Sequence, residues 1–540
     1  MSSSKLLRGT FILTLGTFIS KFLGLFYVIP FYWIMGGAGP MTLYNFGYVP
    51  YQIFLGIATA GVPLAVAKYV AKYNALGEYE IGRRLFRSGV YLMLATGVVS
   101  FVAMYALAPV LAGLQSIEGS GYTVEDVTGV IRAVSFALIV IPVMSLIRGF
   151  FQGYQSMGPS AVSQVIEQIV RIAFLLIGSS VVLYVLHGTI TSAISVATFA
   201  AFIGALASLA CLLWYFFKRK KGLDALLRTS KGEVTVSLPA MYKDIFITAI
   251  PFVVVGIASS LYQQIDQFTF GRILTWIGYS GHEAENLLGI VNFSAQKLVI
   301  IPVSLATAFS MTIVPLVTAA YARGEQENVK KQLNDVFQVL LFITLPACIG
   351  MSLLAEPLYT VFYEHDPAGI QILAFYAPVA ILLSLFSVTA AILQGIDEQR
   401  FTIMSLLLGL LTKSVFQMPL MMWMGARGSV AATGLGYTVS VIFAMYMIRK
   451  YANYNFSVIL RRTVLMLALN LAMAVAVLLV YFGLTQFISP ESKLNSMILL
   501  IICGAVGAAV YGYLSLRLRL FDKVFGARAA GIRRKLRIKA

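Results

Sequence analysis

Charge is scarce in this sequence. Of 540 residues, 11% are Asp, Glu, Lys or Arg, against about 25% in a soluble domain, which excludes a chain that solvates itself through an ordinary charged surface. Cysteine is scarcer still. Cys211, Cys348 and Cys503 stand singly within apolar segments, with neither a disulfide framework nor a metal-ligand spacing, and they read as small buried hydrophobes. His187, His282 and His365 lie far apart, in connecting loops. There is no P-loop, no paired-histidine metal motif and no nucleophile elbow, so the sequence offers no catalytic residue, no metal site and no cofactor. A membrane barrel is excluded as well. Its strands alternate apolar and polar residues, whereas here both alternate positions are apolar.

What fills the chain is apolar sequence, 59% hydrophobic. Stretches of about 20 apolar residues recur, each long enough to cross a hydrocarbon core of about 30 Å. In lipid every backbone N–H and C=O must be satisfied internally, which makes these stretches helices. The expected fold class is therefore an all-α polytopic membrane protein with fourteen transmembrane helices. They fall near 9–31, 46–73, 86–112, 128–150, 160–186, 190–217, 245–272, 287–318, 336–357, 369–394, 401–424, 428–449, 460–485 and 494–516. Lys5 and Arg8 precede a first apolar stretch too long for a signal-peptide core, without a small-residue cleavage site, so it reads as a retained first helix.

The charges test this map. The net charge of +18 would suggest nucleic acid in a soluble protein; here the cations sit in short loops. With a cytoplasmic N-terminus, 32 of the 40 Lys and Arg fall in cytoplasmic segments. Three (Arg272, Arg427, Lys493) fall outside and five lie within spans. That bias supports the span number and puts both termini in the cytoplasm. The basic tail reads as a surface segment on anionic membrane lipids, not as a nucleic-acid site.

The chain also repeats itself. Gly77-Glu78-Tyr79-Glu80 followed by Arg83-Arg84 matches Gly324-Glu325-Gln326-Glu327 followed by Lys330-Lys331. Val62-Pro63-Leu64 matches Val314-Pro315-Leu316, and Phe151-Gln152-Gly153 matches Leu393-Gln394-Gly395. Six spans, an even number, separate the copies, so the repeats are parallel. The expected organisation is an N-lobe over 1–217 (spans 1 to 6), a basic cytoplasmic linker over 218–243, a C-lobe over 244–450 (spans 7 to 12), two extra helices over 451–517 and a basic tail over 518–540. Transporters built from repeats bind substrate near the midplane at the repeat interface. Pro63 and Pro315, each within the second span of its half, read as kinks, either static or acting as hinges.

Ionisable residues within spans are functional candidates. They are Lys21, Arg132, Arg171, Lys297, Lys413, Glu167 and Asp266. Arg132 is near an external end, where it can snorkel. Nothing near Lys21 in sequence neutralises it, which favours a cavity, and Lys297 opens the equivalent region of the second half. Glu167 and Arg171, at i and i+4, can form a structural charge pair. The excess of cations suits an anionic ligand, with lysine as a point charge and arginine as a fork.

Fourteen spans as 6 + 6 + 2, with Ala60-Gly61-Val62-Pro63 in the second, resemble the multidrug/oligosaccharidyl-lipid/polysaccharide exporter superfamily. Arg148-Gly149-Phe150-Phe151-Gln152-Gly153, continuing to Ile166-Glu167-Gln168-Ile169-Val170-Arg171, is similar to its polysaccharide-biosynthesis and stage V sporulation branch, which contains the MurJ-type lipid II flippases of Gram-positive bacteria. The resemblance implies a flippase, not an enzyme, in the bacterial cytoplasmic membrane. It would move a lipid-linked glycan of undecaprenyl-pyrophosphate type, lipid II first among them, with the cell-wall synthesis machinery as a further partner. It implies headgroup contacts at Lys21, with Ser20, Gly24 and Tyr27 beside it, and at Lys297, with Arg171 added from the charge count. Tyr27 and Phe54 stand where the family carries further basic residues. It implies an ion site at Asp266, Lys413, Gln417 and Thr433. There the lysine departs from the pattern, as a tethered cation pairing with Asp266 in place of a coupling ion. Coupling to a monovalent cation or to the membrane potential is expected. The alternatives are a flippase for another lipid-linked polysaccharide, a sporulation paralogue, or a cation-coupled small-molecule antiporter.

Overall fold

The computed structural model describes residues 16–525 apart from 17–18, 60, 117–119, 233–236, 238, 240, 244–249, 251–252, 305–316, 319 and 322. The regular secondary structure of the described residues is all helix. In chain order the helices are α1 (Ile19–Met35), α2 (Ala38–Thr59), α3 (Val62–Leu76), α4 (Tyr79–Leu114), α5 (Val124–Gly153), α6 (Met157–Val185), α7 (Ile190–Arg228), α8 (Ala258–Trp276) and α9 (Gly281–Ser304). There follow α10 (Gln326–Leu353), α11 (Ala355–Phe362), α12 (Pro367–Gly395), α13 (Gln399–Met424), α14 (Ala426–Tyr451), α15 (Ser457–Thr485), α16 (Lys493–Arg517) and α17 (Leu520–Phe525). Eleven of them, α4 to α7, α9, α10 and α12 to α16, are long and apolar enough to cross a membrane. Several run past the apolar limits set by sequence. α7 continues to Arg228 beyond 217, and α10 starts at Gln326, before 336. Charged residues such as Lys, Arg and Glu are good helix formers, so the helix does not stop where the apolar run does.

The helix ends follow from local chemistry, and the two ends differ. Thr123, Thr189, Ser280, Asp366 and Ser492 each accept a backbone N–H at the start of α5, α7, α9, α12 and α16. A side-chain cap of this kind satisfies one of the orphan donors of a helix N-terminus. Thr123 with Asp126, and Ser280 with Glu283, form full capping boxes. All five starts lie on the side that the charge map assigns to the exterior.

Helices on both sides close through a residue of positive φ, as α1 does at Gly36 (φ 82), and the repeated motifs share this closure. Gly77 (φ 80) and Gly324 (φ 70) are followed by Glu78 and Glu325, whose N–H groups reach back to Tyr73 O and Ala320 O. Gln155 (φ 56) and Asp397 (φ 62) are followed by Ser156 and Glu398, which reach back to Phe151 O and Leu393 O. These are Schellman closures, with the C″ N–H bonded to the C3 carbonyl. The matched sequence thus encodes matched backbone.

The two copies then diverge. Glu78 is 2% exposed, and its carboxylate accepts the Gly232 N–H. The Lys231 N–H bonds Gly77 O, the Ser230 hydroxyl accepts the Glu80 N–H, and Arg83 pairs with Asp224 at 3.1 Å. The segment expected to be a linker is therefore fastened, over 224–232, to the turn between α3 and α4 and to the start of α4. Glu325 is exposed instead, and hydrogen bonds from Asn328 and then Arg323 hold its carboxyl below the usual range.

Two compact units make up the chain, Met1–Arg272 and Ile273–Ala540. The division falls inside α8, whereas the sequence reading opens the C-lobe at 244. The physical reason is that α8 belongs to the first unit's packing up to Arg272. Ser260 donates to Gln52, Gln267 donates to Asn45 O, and the Ser116 hydroxyl accepts the Arg272 N–H at 2.6 Å.

Pro63 requires a correction. It does not kink a continuous second span but stands in the first turn of α3, after Gly61 in the left-handed region (φ 68). There it removes no intrahelical hydrogen bond. The break between α2 and α3 belongs to Gly61. Pro315 lies outside the described residues.

The motif Gly149-Phe150-Phe151-Gln152-Gly153 has a packing role. A Cβ on Gly149 would stand 2.1 Å from Pro63 O, and one on Gly153 would stand 2.7 Å from Val70 Cβ and 2.9 Å from Ala67 O. The pair forms the small-xxx-small strip that lets α5 lie against the backbone of α3. Val62, Val66, Val70, Leu146 and Phe150 fill the core beside it.

Candidate functional site

In the first unit Lys21 is exposed on α1. One residue earlier Ser20 turns its hydroxyl back to Gly16 O at 2.9 Å. Gly24 lies against α6. A Cβ there would come within 2.9 Å of the Gln168 amide nitrogen, as one on Gly16 would meet Ala161. Tyr27 is buried (5% exposed) and begins a run of rings from α1 into α2. Tyr27 to Phe31 is 6.3 Å, Phe31 to Tyr44 is 5.5 Å edge-on, Tyr44 to Tyr48 is 5.4 Å stacked, and Tyr48 to Tyr51 is 5.5 Å.

Arg171 of α6 enters this run. It donates to the Tyr48 hydroxyl at 3.1 Å and the Tyr44 hydroxyl at 3.4 Å, and its guanidinium lies 5.3 Å from the Tyr48 ring centroid. The expected Glu167–Arg171 pair is not formed. Glu167 instead takes Arg148 of α5 at 2.7 Å. Arg148 also donates to Ser163 at 2.9 Å and Ser208 at 2.7 Å. The i, i+4 spacing does put Glu167 and Arg171 on one face of α6. That face, however, meets α5 at the first residue and the tyrosines of α2 at the second. Sequence placed Arg148 in a cytoplasmic segment and so did not weigh it as a partner. A positive group held by hydroxyls and a ring keeps its charge uncancelled, as an anion site requires.

Asp266 is buried on α8 (3% exposed). In the second unit Lys413 of α13 is fully buried (0%) and donates to the Thr433 hydroxyl of α14 at 2.7 Å; Thr433 in turn donates to Ser429 O. Gln417, one turn beyond Lys413, is also buried. The structure thus brings together Lys413 and Thr433, which sequence had placed in one site. The α13–α14 turn that joins them is built on Gly425 (φ 59) and Gly428, whose Cβ would stand 2.2 Å from Leu420 O. Lys297 of α9 is half-buried, its Nζ 5.6 Å from the Phe293 ring centroid.

Sequence reasoning missed the tyrosines and Arg148. The signal for the first was present: Tyr44, Tyr48 and Tyr51 recur at i, i+4 and i+7, one helix face.

Apolar spanning helices that carry cations within the membrane-spanning region define a polytopic α-helical membrane protein. Its sequence matches the polysaccharide biosynthesis protein family over residues 6–321. It is 45% identical to Lipid II flippase MurJ of Bacillus subtilis (strain 168) over 99% of both chains. It is 24% identical to Stage V sporulation protein B of the same organism, over 81% of this chain and 82% of that one. Its fold is similar to a solved structure of lipid II flippase MurJ in an inward closed conformation, with a TM-score of 0.64 at 15% identity, covering 94% of this chain and 99% of that one. The chain belongs to the polysaccharide biosynthesis protein family, in its MurJ-type branch.

Proposed function

We propose that this protein is a flippase that moves a lipid-linked, pyrophosphate-bearing glycan, lipid II for peptidoglycan synthesis, from the cytoplasmic to the external leaflet of the bacterial cytoplasmic membrane. The observation that carries this reading is the 45% identity, over essentially the full length of both chains, to a lipid II flippase. The uncancelled Arg171 guanidinium agrees with it, because a pyrophosphate needs positive partners. The weaker identity to the stage V sporulation protein, 24%, places the sporulation reading second. The chain crosses the membrane fourteen times, as two parallel six-span repeats and two further spans, with both termini cytoplasmic. The matched Schellman closures support the repeats, and the one-sided capping supports the alternation.

In this mechanism Lys21, Lys297 and Arg171 hold the headgroup in an inward-open state, the lipid tail remains in the bilayer, and alternating access releases the headgroup outside. An inside-negative potential favours outward movement of negative charge by about 2.3 kcal/mol per charge per 100 mV. Turnover therefore rises with membrane potential at fixed ion gradients.

The test is depletion and complementation. In a cell whose only lipid II flippase is replaced by this protein, external labelling of newly made lipid II returns. Lys21→Ala and Lys297→Ala each lower it by about tenfold at equal membrane levels, the scale of one lost charge-assisted hydrogen bond of about 1.5–3 kcal/mol. An inserted parent protein that leaves labelling absent overturns lipid II as the substrate.

A further inference from the structure

Helix α9, which carries Lys297, is not wound uniformly. Over Ile290–Ala295 its backbone is a π-helix, and all six residues are buried. A π-turn holds one residue more than an α-turn. Each residue of a helix turns it by about 100°, so the part of α9 beyond the π-turn is rotated by about that angle relative to a continuous α-helix. Lys297 is the second residue beyond it.

The π-turn has an outside partner. Tyr363, the fully buried C-cap of α11, donates its hydroxyl to Ser294 O at 3.0 Å. Tyr363 is itself fixed. Its ring lies 5.0 Å from that of Tyr359, and Tyr359 lies so close to α12 that a Cβ on Gly369 would stand 2.2 Å from its ring. Beyond the turn, Lys297 folds back over Phe293, a member of the turn.

We infer that Tyr363 is a positioning residue: its hydrogen bond to the Ser294 carbonyl holds the π-turn of α9 and so sets the direction in which Lys297 points. The consequence for transport rests on the reading of Lys297 as a headgroup ligand; the geometry does not.

Cysteine accessibility tests the two separately. In the full-length protein with Cys211, Cys348 and Cys503 replaced by alanine, one cysteine is introduced by Lys297→Cys or by Leu298→Cys. Lys297 is half-buried and Leu298 fully buried, so a charged methanethiosulfonate labels the first and not the second. Tyr363→Phe keeps the ring and removes the donor. With it, Lys297 turns into the place of Leu298 and Leu298 into that of Val299, both fully buried, so labelling of Lys297→Cys slows severalfold while Leu298→Cys stays unlabelled, a pattern that general loosening, which raises both, does not produce. Flipping by Tyr363→Phe falls severalfold, with no further fall when Lys297→Ala is already present. Unchanged labelling at both positions, or a rise at both, overturns the inference. Slowed labelling of Lys297→Cys alone, with parental flipping, upholds the positioning role and counts against Lys297 as a headgroup ligand. If Tyr363→Phe does not reach the membrane, deletion of Val291 is added to it: the deletion takes the extra residue out of the turn, keeps the phase beyond it without the hydrogen bond, and is expected to restore insertion and parental labelling of Lys297→Cys, and slowed or absent labelling there overturns the inference.

Discussion

Lys413→Met is expected to lower transport about 10- to 100-fold while leaving the protein in the membrane, because a hydrogen bond made by a charged group is worth about 1.5–3 kcal/mol and each 1.36 kcal/mol is tenfold in rate. Methionine keeps the length and bulk of the lysine stem and drops the charge, so packing between α13 and α14 survives. An ammonium taken fully out of water is retained only where hydrogen bonds and opposite charge compensate it. Lys413 meets that condition in part through Thr433, at 2.7 Å. We propose that this tethered cation occupies the place of a coupling ion. The parent protein then flips at one rate with sodium or without it. Thr433→Val, which keeps the shape and removes the acceptor, costs about 1–3 kcal/mol of stability. Flipping by purified protein in vesicles, with sodium exchanged for potassium, reads the first effect, and thermal unfolding in detergent reads the second. Parental transport and stability in Lys413→Met would sink the tethered-cation account.

A second large effect is expected from a single methyl group. Gly149→Ala places a carbon where Pro63 O already stands, 2.1 Å away, and the obstacle is backbone that no rotamer change can move. α5 must retreat from α3 and open the core around Val70, Leu146 and Phe150. The expected loss is at the upper end of the about 1–3 kcal/mol typical of overpacking, or beyond it. It is read as a lower unfolding temperature and lower membrane accumulation. Gly504→Ala is the control: nothing lies within 4 Å of its Cβ position, and alanine suits a helix interior better than glycine. Equal unfolding temperatures for the two variants would refute the close-approach account.

How much of this was legible in the sequence depended on whether the signal was local. Apolar length marked the helices, because a lipid solvent leaves the backbone few other solutions. The matched motifs were legible down to backbone angles: Gly77 and Gly324 are followed by the same hydrogen bonds, since Schellman closure is a property of a few consecutive residues. Glu167 shows where local reading stops. Its neighbour at i+4 was a plausible partner, and the partner chosen came from another helix. Pro63 was visible, but Gly61, two residues earlier, sets the break and moves the proline to a harmless position. The π-turn before Lys297 leaves no mark in hydrophobic pattern, because all six of its residues are buried alike.

The repeated Gly-Glu-X-Glu motif has a further consequence, in the field of the helices it starts. α4 and α10 begin among cations, Arg83 and Arg84 in one and Lys330 and Lys331 in the other. A helix N-terminus carries about half a positive charge of its own, so these cations repel the macrodipole they stand beside. The second glutamate of each motif, Glu80 and Glu327, occupies the first turn. There it offsets both the dipole and the cations; Lys330 reaches Glu327 at 2.8 Å. Clustered positive charges can therefore sit at the beginnings of helices as well as at their ends, because each such beginning brings its own counter-charge.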